Sequence, residues 1–125
     1  MTYKRALIFG SFDGLHSGHR EFISYARRVG EELFIALTPD ELYYELHGRL
    51  PRYDFDLRKE ILLSESIADQ VIKGDHEQNT WHVISIYKPD VIILGVNNSE
   101  IFLALNRAKK KNDNIPKILT VMCYY

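Results

Sequence analysis

The stretch Gly10-Ser11-Phe12-Asp13-Gly14-Leu15-His16-Ser17-Gly18-His19 constrains this chain more than any other. It follows the apolar run Ala6-Leu7-Ile8-Phe9 and leads into a segment of helical periodicity, which predicts the first turn between a buried strand and a helix. Anions bind at such turns. The first N–H groups of a helix lack intrahelical partners, and the macrodipole adds positive charge beside them. His16 and His19, three residues apart, can face one ligand there. An H-x-x-H pair can also chelate zinc, the site of a metal-dependent hydrolase. With a single cysteine, and only Asp13 as a nearby carboxylate, phosphate contact is the stronger reading and no metal site is expected.

Strand and helix signals alternate along the rest of the chain, with no repeat and no linker. Residues 4–9 read as the first strand. Residues 17–29 read as a helix, with Ser17 as a candidate N-cap, Phe22, Ala26 and Val29 on its apolar face, and Gly30 as its stop. Leu33 to Leu37 is the short apolar run of a strand covered on both faces. Thr38-Pro39-Asp40-Glu41 carries a capping-box pattern, with Thr38 as cap, and opens a helix that should end by Gly48. The basic loop Arg49-Leu50-Pro51-Arg52-Tyr53 precedes Asp54 and a helical run with Phe55, Leu57, Ile61 and Leu62. Residues 70–72 read as a third strand and 79–87 as a helix with Trp81 and Ile84 on its apolar face. Residues 90–95 give the clearest strand. The next helix carries Ile101, Leu105 and Ala108 and ends in Lys109-Lys110-Lys111, which complements the negative end of its dipole. Residues 117–123 supply a fifth strand.

This order predicts an α/β fold, a Rossmann-like three-layer α/β/α arrangement around a five-stranded parallel sheet with right-handed crossovers. Residues 1–125 are expected to form one domain. Ligands collect in such sheets at the carboxyl ends of the strands, where the strand order reverses. The opening loop, Lys73 to His76 and Gly95-Val96-Asn97-Asn98 all fall on that edge and are expected to share one cleft.

The charge balance, 16 basic against 17 acidic residues, offers no reason to expect a nucleic-acid partner. No apolar run is long enough to span a membrane, and Met1-Thr2-Tyr3-Lys4-Arg5 runs directly into strand signal rather than a leader, so a cytoplasmic protein with no membrane partner is expected. The lone Cys123 cannot form an internal disulfide, in keeping with a reducing compartment.

Glycines 10, 14 and 18 match neither the dinucleotide pattern nor the P-loop. The ten residues instead resemble the signature G-[ST]-F-D-x-x-H-x-G-H of the cytidylyltransferase-like nucleotidyltransferases, with every fixed position met. Leu57-Arg58-Lys59 is similar to the family's helix-borne Arg-Lys pair, and Lys88 to Gly95 to its fourth strand and nucleotide loop. The chain resembles small members of the superfamily such as glycerol-3-phosphate cytidylyltransferases, archaeal-type FMN adenylyltransferases and the adenylyltransferase portion of ADP-heptose synthesis enzymes.

The resemblance implies transfer of a nucleoside monophosphate from a nucleoside triphosphate to a phosphorylated small molecule, with release of pyrophosphate. CMP transfer to glycerol 3-phosphate is the first expectation. Adenylyl transfer to FMN or a sugar phosphate is the alternative, and a nucleotide-binding protein of the same fold without turnover is a third. His16, His19 and Arg58 are the expected catalytic residues, the histidines as donors to triphosphate oxygens and Arg58, with Arg49 and Arg52, as a candidate for planar, bidentate phosphate contact. Gly10, Ser11, Phe12, Asp13, Gly18, Arg49, Arg52, Gly95, Asn97 and Asn98 are expected to bind the nucleotide. Mg²⁺ is expected to arrive on the nucleotide phosphates, held by ligand oxygens and water. Relatives also imply a homodimer. Two departures stand out. Family members commonly continue past the fifth strand into an arginine- and Ser/Thr-rich segment, where this sequence reads Tyr124-Tyr125, and their fourth-strand loop often carries an acidic residue where Val96-Asn97-Asn98 stands here.

Overall fold

The computed structural model describes residues 3–112, 114–123 and 125. Five strands, β1 (Tyr3–Gly10), β2 (Gly30–Leu37), β3 (Gln70–Lys73), β4 (Val91–Gly95) and β5 (Lys117–Val121), form one sheet in the order β3-β2-β1-β4-β5. Every neighbouring pair is parallel. Five helices connect them: α1 (Ser17–Val29), α2 (Asp40–His47), α3 (Phe55–Ser64), α4 (His82–Tyr87) and α5 (Ser99–Lys109). The Rossmann-like α/β fold expected from the sequence is the fold observed.

The two cores follow from side-chain alternation along the strands. Ala6 and Ile8 of β1, Leu33, Ile35 and Leu37 of β2, and Ile93 of β4 point to one face, where Phe22, Ile23 and Ala26 of α1 and Leu62 of α3 cover them. Leu7, Phe34, Ala36, Ile92 and Leu94 point to the other, against Val83 and Ile84 of α4 and Leu105 of α5. With both faces covered, the central strands read as unbroken apolar runs.

The chain leaves β1 toward β2 on one side and later returns to place β4 on the other, so the strand order reverses between β1 and β4. Loops leaving the carboxyl ends of these two strands diverge, and the opening between them is where such folds hold ligands. The β1–α1 and β4–α5 loops lie there.

Local details differ from the sequence expectation, each for a physical reason. The N-cap of α1 is His16, not Ser17, because the His16 ring accepts the N–H of His19. Helix α2 starts at Asp40 with Pro39 as a cap that has no side-chain bond, and the Thr38 carbonyl is instead taken by Arg58. Helix α4 starts at His82 rather than near residue 79, because Asn79 (φ 64°) and Trp81 (φ 59°) occupy the left-handed region, which a helix cannot include.

Gly30 ends α1 and begins β2 with no intervening residue. A Cβ there would lie 2.8 Å from the Ala6 Cβ, 2.9 Å from the Glu32 carbonyl oxygen and 3.0 Å from the Ala6 nitrogen. Backbone cannot yield as a flexible side chain can. Gly30→Ala should therefore destabilise the protein by about 1–3 kcal/mol, read as a lower urea midpoint.

Candidate active site

Two imidazoles build the start of α1. The reciprocal capping pattern usually pairs Ser or Thr with Glu or Gln. Here the Nδ1 of His16 accepts the backbone N–H of His19 at 3.2 Å, and the Nδ1 of His19 accepts the backbone N–H of His16 at 3.2 Å. The rings consequently stack, with centroids 3.6 Å apart. Because each Nδ1 is an acceptor, each neutral ring carries its proton on Nε2, which is the nitrogen left to donate. Burial pushes the His19 pKa down to about 4, helped by the nearby His16 and Arg20 charges and opposed by the Gly14 carbonyl. His19 is a neutral donor at pH 7.

The loop before these histidines is shaped from within. Phe12 has φ 44° and is buried, and Gly14 has φ 93°. Gly10 lies against the Phe12 ring so closely that a Cβ would sit 2.5 Å from it. Asp13, partly exposed, turns its carboxylate onto the basic loop. Its two oxygens accept the backbone N–H groups of Arg52 (2.7 Å) and Tyr53 (2.9 Å), which ties the basic loop to the β1–α1 loop.

Arg58 is fully buried. Its guanidinium donates to the carbonyls of Tyr53 (2.9 Å), Ser11 (2.8 Å) and Thr38 (2.9 Å) and to the carboxylate of Asp40 (2.7 Å). The sequence reading places Arg58 on a phosphate. The structure places it beneath three loops, where its donors are engaged by protein groups, and among the described residues no buried side-chain nitrogen or oxygen lacks a partner.

The loop residues Gly10 to Asp13 and His19 line a cleft of about 450 Å³ at the reversal point. Asn98 and Ile101 close it on the β4 side, and Thr38, Tyr43 and His47 on the β2 side. His16 faces an adjoining groove with Asp13, Arg20 and Arg52. Arg49 is exposed beside the cleft, its guanidinium 5.6 Å from the centre of the Tyr43 ring. Gly18 sits half-buried in the first turn of α1.

On the β4 side, Asn98 accepts the Gly95 N–H through Oδ1 (2.9 Å), so its side chain braces the turn rather than capping α5. Asn97 donates to the Tyr125 carbonyl (2.7 Å) and does not line the cleft. Gly95 is buried, and a Cβ on it would lie 2.5 Å from the Cys123 carbonyl oxygen. Gly74 and Asp75 line a second cleft that shares Phe9, Thr38, Leu46 and Ile101 with the first. Lys73 and His76, with Gly74 and Asp75, line a third groove, and of residues 95–98 only Asn98 lines either of the first two, so the expected single cleft is divided.

Sequence reasoning gave no place at the site to Thr38, read only as a helix cap, or to Tyr43, His47 or Tyr125. Thr38 follows β2 directly, so the strand-edge rule could have found it. Tyr43 and His47 are one helical turn apart on α2, with ring centres 4.3 Å apart, which the i, i+4 spacing could have shown. Tyr125 carries no local signal. Its ring stacks on Phe22 at 3.7 Å, its hydroxyl donates to the Phe9 carbonyl (2.9 Å), and burial holds the phenol far above its usual pKa.

The described residues contain no group of three His, Cys, Asp or Glu side chains able to hold a metal ion, and no helix long and apolar enough to cross a membrane. The cytidylyltransferase-like family profile matches residues 7–120. The chain belongs to this family, and with it to the nucleotidyltransferases. A FAD synthase of Thermococcus sibiricus is 31% identical over 121 residues, covering 96% of this chain and 82% of that protein. A FAD synthase of Pyrococcus abyssi is 35% identical over 91 residues, covering 73% of this chain, which spans only 62% of that relative's length. Among solved structures, a lipopolysaccharide core biosynthesis protein from Thermoplasma volcanium superposes with a TM-score of 0.82 at 25% identity, covering 98% of this chain and 99% of its own.

The geometry yields two expectations. A depressed histidine pKa means that the unfolded chain takes up the proton first, so stability should fall as the pH drops from about 6.5 toward 4. His19→Gln keeps an acceptor at the N3 position of the capping box but does not titrate. It should flatten that part of a melting-temperature profile and leave the profile above pH 7 unchanged.

Arg58→Met removes the guanidinium while keeping similar bulk, and strands three carbonyls and a carboxylate. It should lower stability by about 3 kcal/mol or more in urea unfolding, since each carbonyl left without its donor costs about 1–3 kcal/mol, while the partly exposed Asp40 carboxylate keeps contact with water.

Proposed function

We propose that the chain transfers the adenylyl group of ATP to the phosphate of FMN, forming FAD and releasing pyrophosphate. The relatives favour this reading over CMP transfer to glycerol 3-phosphate, since both are FAD synthases. The observation that carries the chemistry is the histidine pair, two Nε2–H donors fixed by backbone bonds at a helix N-terminus.

An FMN phosphate oxygen attacks the α-phosphorus of ATP. The new P–O bond forms as the bond to the β-bridging oxygen breaks, and its electron pair leaves with pyrophosphate. The attacking oxygen is already deprotonated, so the site needs alignment and stabilisation of charge rather than a general base. His16 and His19 would donate to triphosphate oxygens, together with the unpaired N–H groups of the first turn of α1. Arg52, which lines the groove with His16, and the exposed Arg49 would reach phosphates from the rim, and guanidinium forks suit that contact. Arg58 acts as a positioning residue, holding the loops on which these groups stand.

A divalent cation such as Mg²⁺ entering on the triphosphate would supply further neutralisation there. Asp13 already accepts two backbone N–H groups, so the cation's ligands would be mainly phosphate oxygens and water, as is usual for Mg²⁺ at nucleotide sites.

Pyrophosphate release measured for the four ribonucleotides against FMN, glycerol 3-phosphate and a sugar phosphate tests the proposal. ATP with FMN should react and yield FAD by chromatography. Release with CTP and glycerol 3-phosphate, but not with ATP and FMN, would replace it by the cytidylyl reading. ATP that raises the melting temperature with no turnover for any pair would leave only nucleotide binding. His16→Ala or His19→Ala should each lower turnover by roughly 10²-fold or more, the scale for losing one transition-state donor.

A further inference from the structure

We propose that Tyr125 is a positioning residue of the histidine pair, and that Asn97 acts on the site through Tyr125 rather than by contact with the nucleotide. The effect on turnover rests on the adenylyl-transfer reading above, and the effect on His19 does not.

The sheet makes the seat of Tyr125. β1 pairs with β2 from Tyr3 to Gly10 but with β4 only at Ala6 and Leu7. Beyond Leu7 the two central strands part, and the Phe9 carbonyl accepts from the Tyr125 hydroxyl at 2.9 Å. The phenol supplies a donor where the β4 side of the ladder supplies none. Gly95, at the end of β4, leaves the room for it, since a Cβ there would lie 2.9 Å from the Cδ1 and Cε1 of the ring.

From that seat the ring reaches the histidine loop. It stacks on Phe22 of α1, with centres 3.7 Å apart and planes 8° from parallel, and on Phe12 at 5.8 Å. It meets the His19 ring edge to face at 6.5 Å. Phe12 has φ 44° and packs on His19 at 5.2 Å. A bulky residue keeps a left-handed backbone only where its surroundings over-determine it, and the Tyr125 ring is one of those surroundings. Together Phe12 and Tyr125 give aromatic cover to His19, whose burial lowers its pKa to about 4.

Asn97 grips the tyrosine from the β4–α5 loop. Its Nδ2 donates to the Tyr125 carbonyl at 2.7 Å, and its Oδ1 accepts the Tyr125 N–H at a longer 3.5 Å. Asn97 is exposed, and its hydrogen bonds go to Tyr125, so its route to the histidines runs through that residue.

The imidazole resonances of His19, followed through a pH titration by NMR, test this without substrate. In Asn97→Ala and in Tyr125→Leu the His19 midpoint should move up from about 4 toward the ordinary 6.5 as water gains access to the ring, with the neighbouring His16 and Arg20 unaltered. With ATP and FMN, kcat should fall about tenfold while the KM for ATP stays within about twofold, the mark of donors misplaced in the transition state. The double variant should do no more than Tyr125→Leu alone, because Asn97 then has nothing to act through. Tyr125→Phe, which keeps the ring, should restore most of the His19 midpoint. Asn97→Ala alters an exposed side chain, so it decides the matter even where a Tyr125 variant does not fold. Folded variants that titrate near 4 at His19 would overturn the positioning role, whatever the reaction. A tenfold higher KM for ATP in Asn97→Ala, with the His19 midpoint unmoved, would put Asn97 on the nucleotide instead. A moved midpoint in a protein that forms no FAD would support the positioning and overturn the reaction.

Discussion

One buried cation organises the working edge of this sheet. Arg58 reaches from α3 to the carbonyl that follows Gly10, the carbonyl that follows β2 and the carbonyl just before the α3 cap. The first two carbonyls have just left their strands and the third lies in the loop between α2 and α3, so none has a ladder partner, and an unpaired buried carbonyl is costly. A neutral side chain could satisfy only one or two of them. A guanidinium has five donors in a rigid plane, so it can serve several loops at once, with Asp40 beside it to balance the charge. Asp13 does the complementary task for N–H groups, taking those of Arg52 and Tyr53. The loops of the site are therefore fixed by two ions of opposite sign, one supplying donors and the other acceptors.

Given those fixed loops, the helix start can present chemistry. A Ser or Thr cap accepts the N3 N–H on its oxygen and keeps its O–H, but both functions sit on one atom close to the backbone. Imidazole has two nitrogens on opposite sides of a ring. Here one serves the backbone and the other remains for a ligand, so capping and binding do not compete at His16 and His19. Packing His19 against Phe12, with ring centres 5.2 Å apart, adds the burial that keeps its ring neutral.

Legibility in the sequence follows the range over which each feature is determined. The alternating strands and helices were readable because apolar periodicity is local, and covering a parallel sheet on both faces leaves runs such as Leu33 to Leu37. The signature around His16 and His19 was readable because ten consecutive residues carry it. The capping role of His16 was not, since Ser17 is the commoner cap and only the pairing of both rings reveals the alternative. The start of α4 was not readable because Asn79 and Trp81 take left-handed backbone, which no local apolar pattern announces. Arg58 was recognised as important but assigned to a phosphate, because its four partners lie 5 to 47 residues away in sequence. Tyr125 gave no signal, its partners Phe9 and Phe22 being about a hundred residues distant.

The division between neutral and charged donors bears on how the proposed reaction would gain rate. In the proposed reaction exposed arginines such as Arg49 and Arg52 would attract a triphosphate before and during reaction alike, and equal stabilisation of substrate and transition state raises affinity without raising turnover. The two Nε2–H groups are different in kind. They are short-ranged, directional and held by bonds to the backbone, so they favour phosphate oxygens in one geometry over others, and neutrality at His19 means that the preference is not submerged in general attraction for anions. In that reaction Arg58 and Asp13 would matter to rate for the same reason. A donor distinguishes the geometry of the transition state from that of the substrate only as finely as its own position is fixed, and these two ions fix the loops around the histidines.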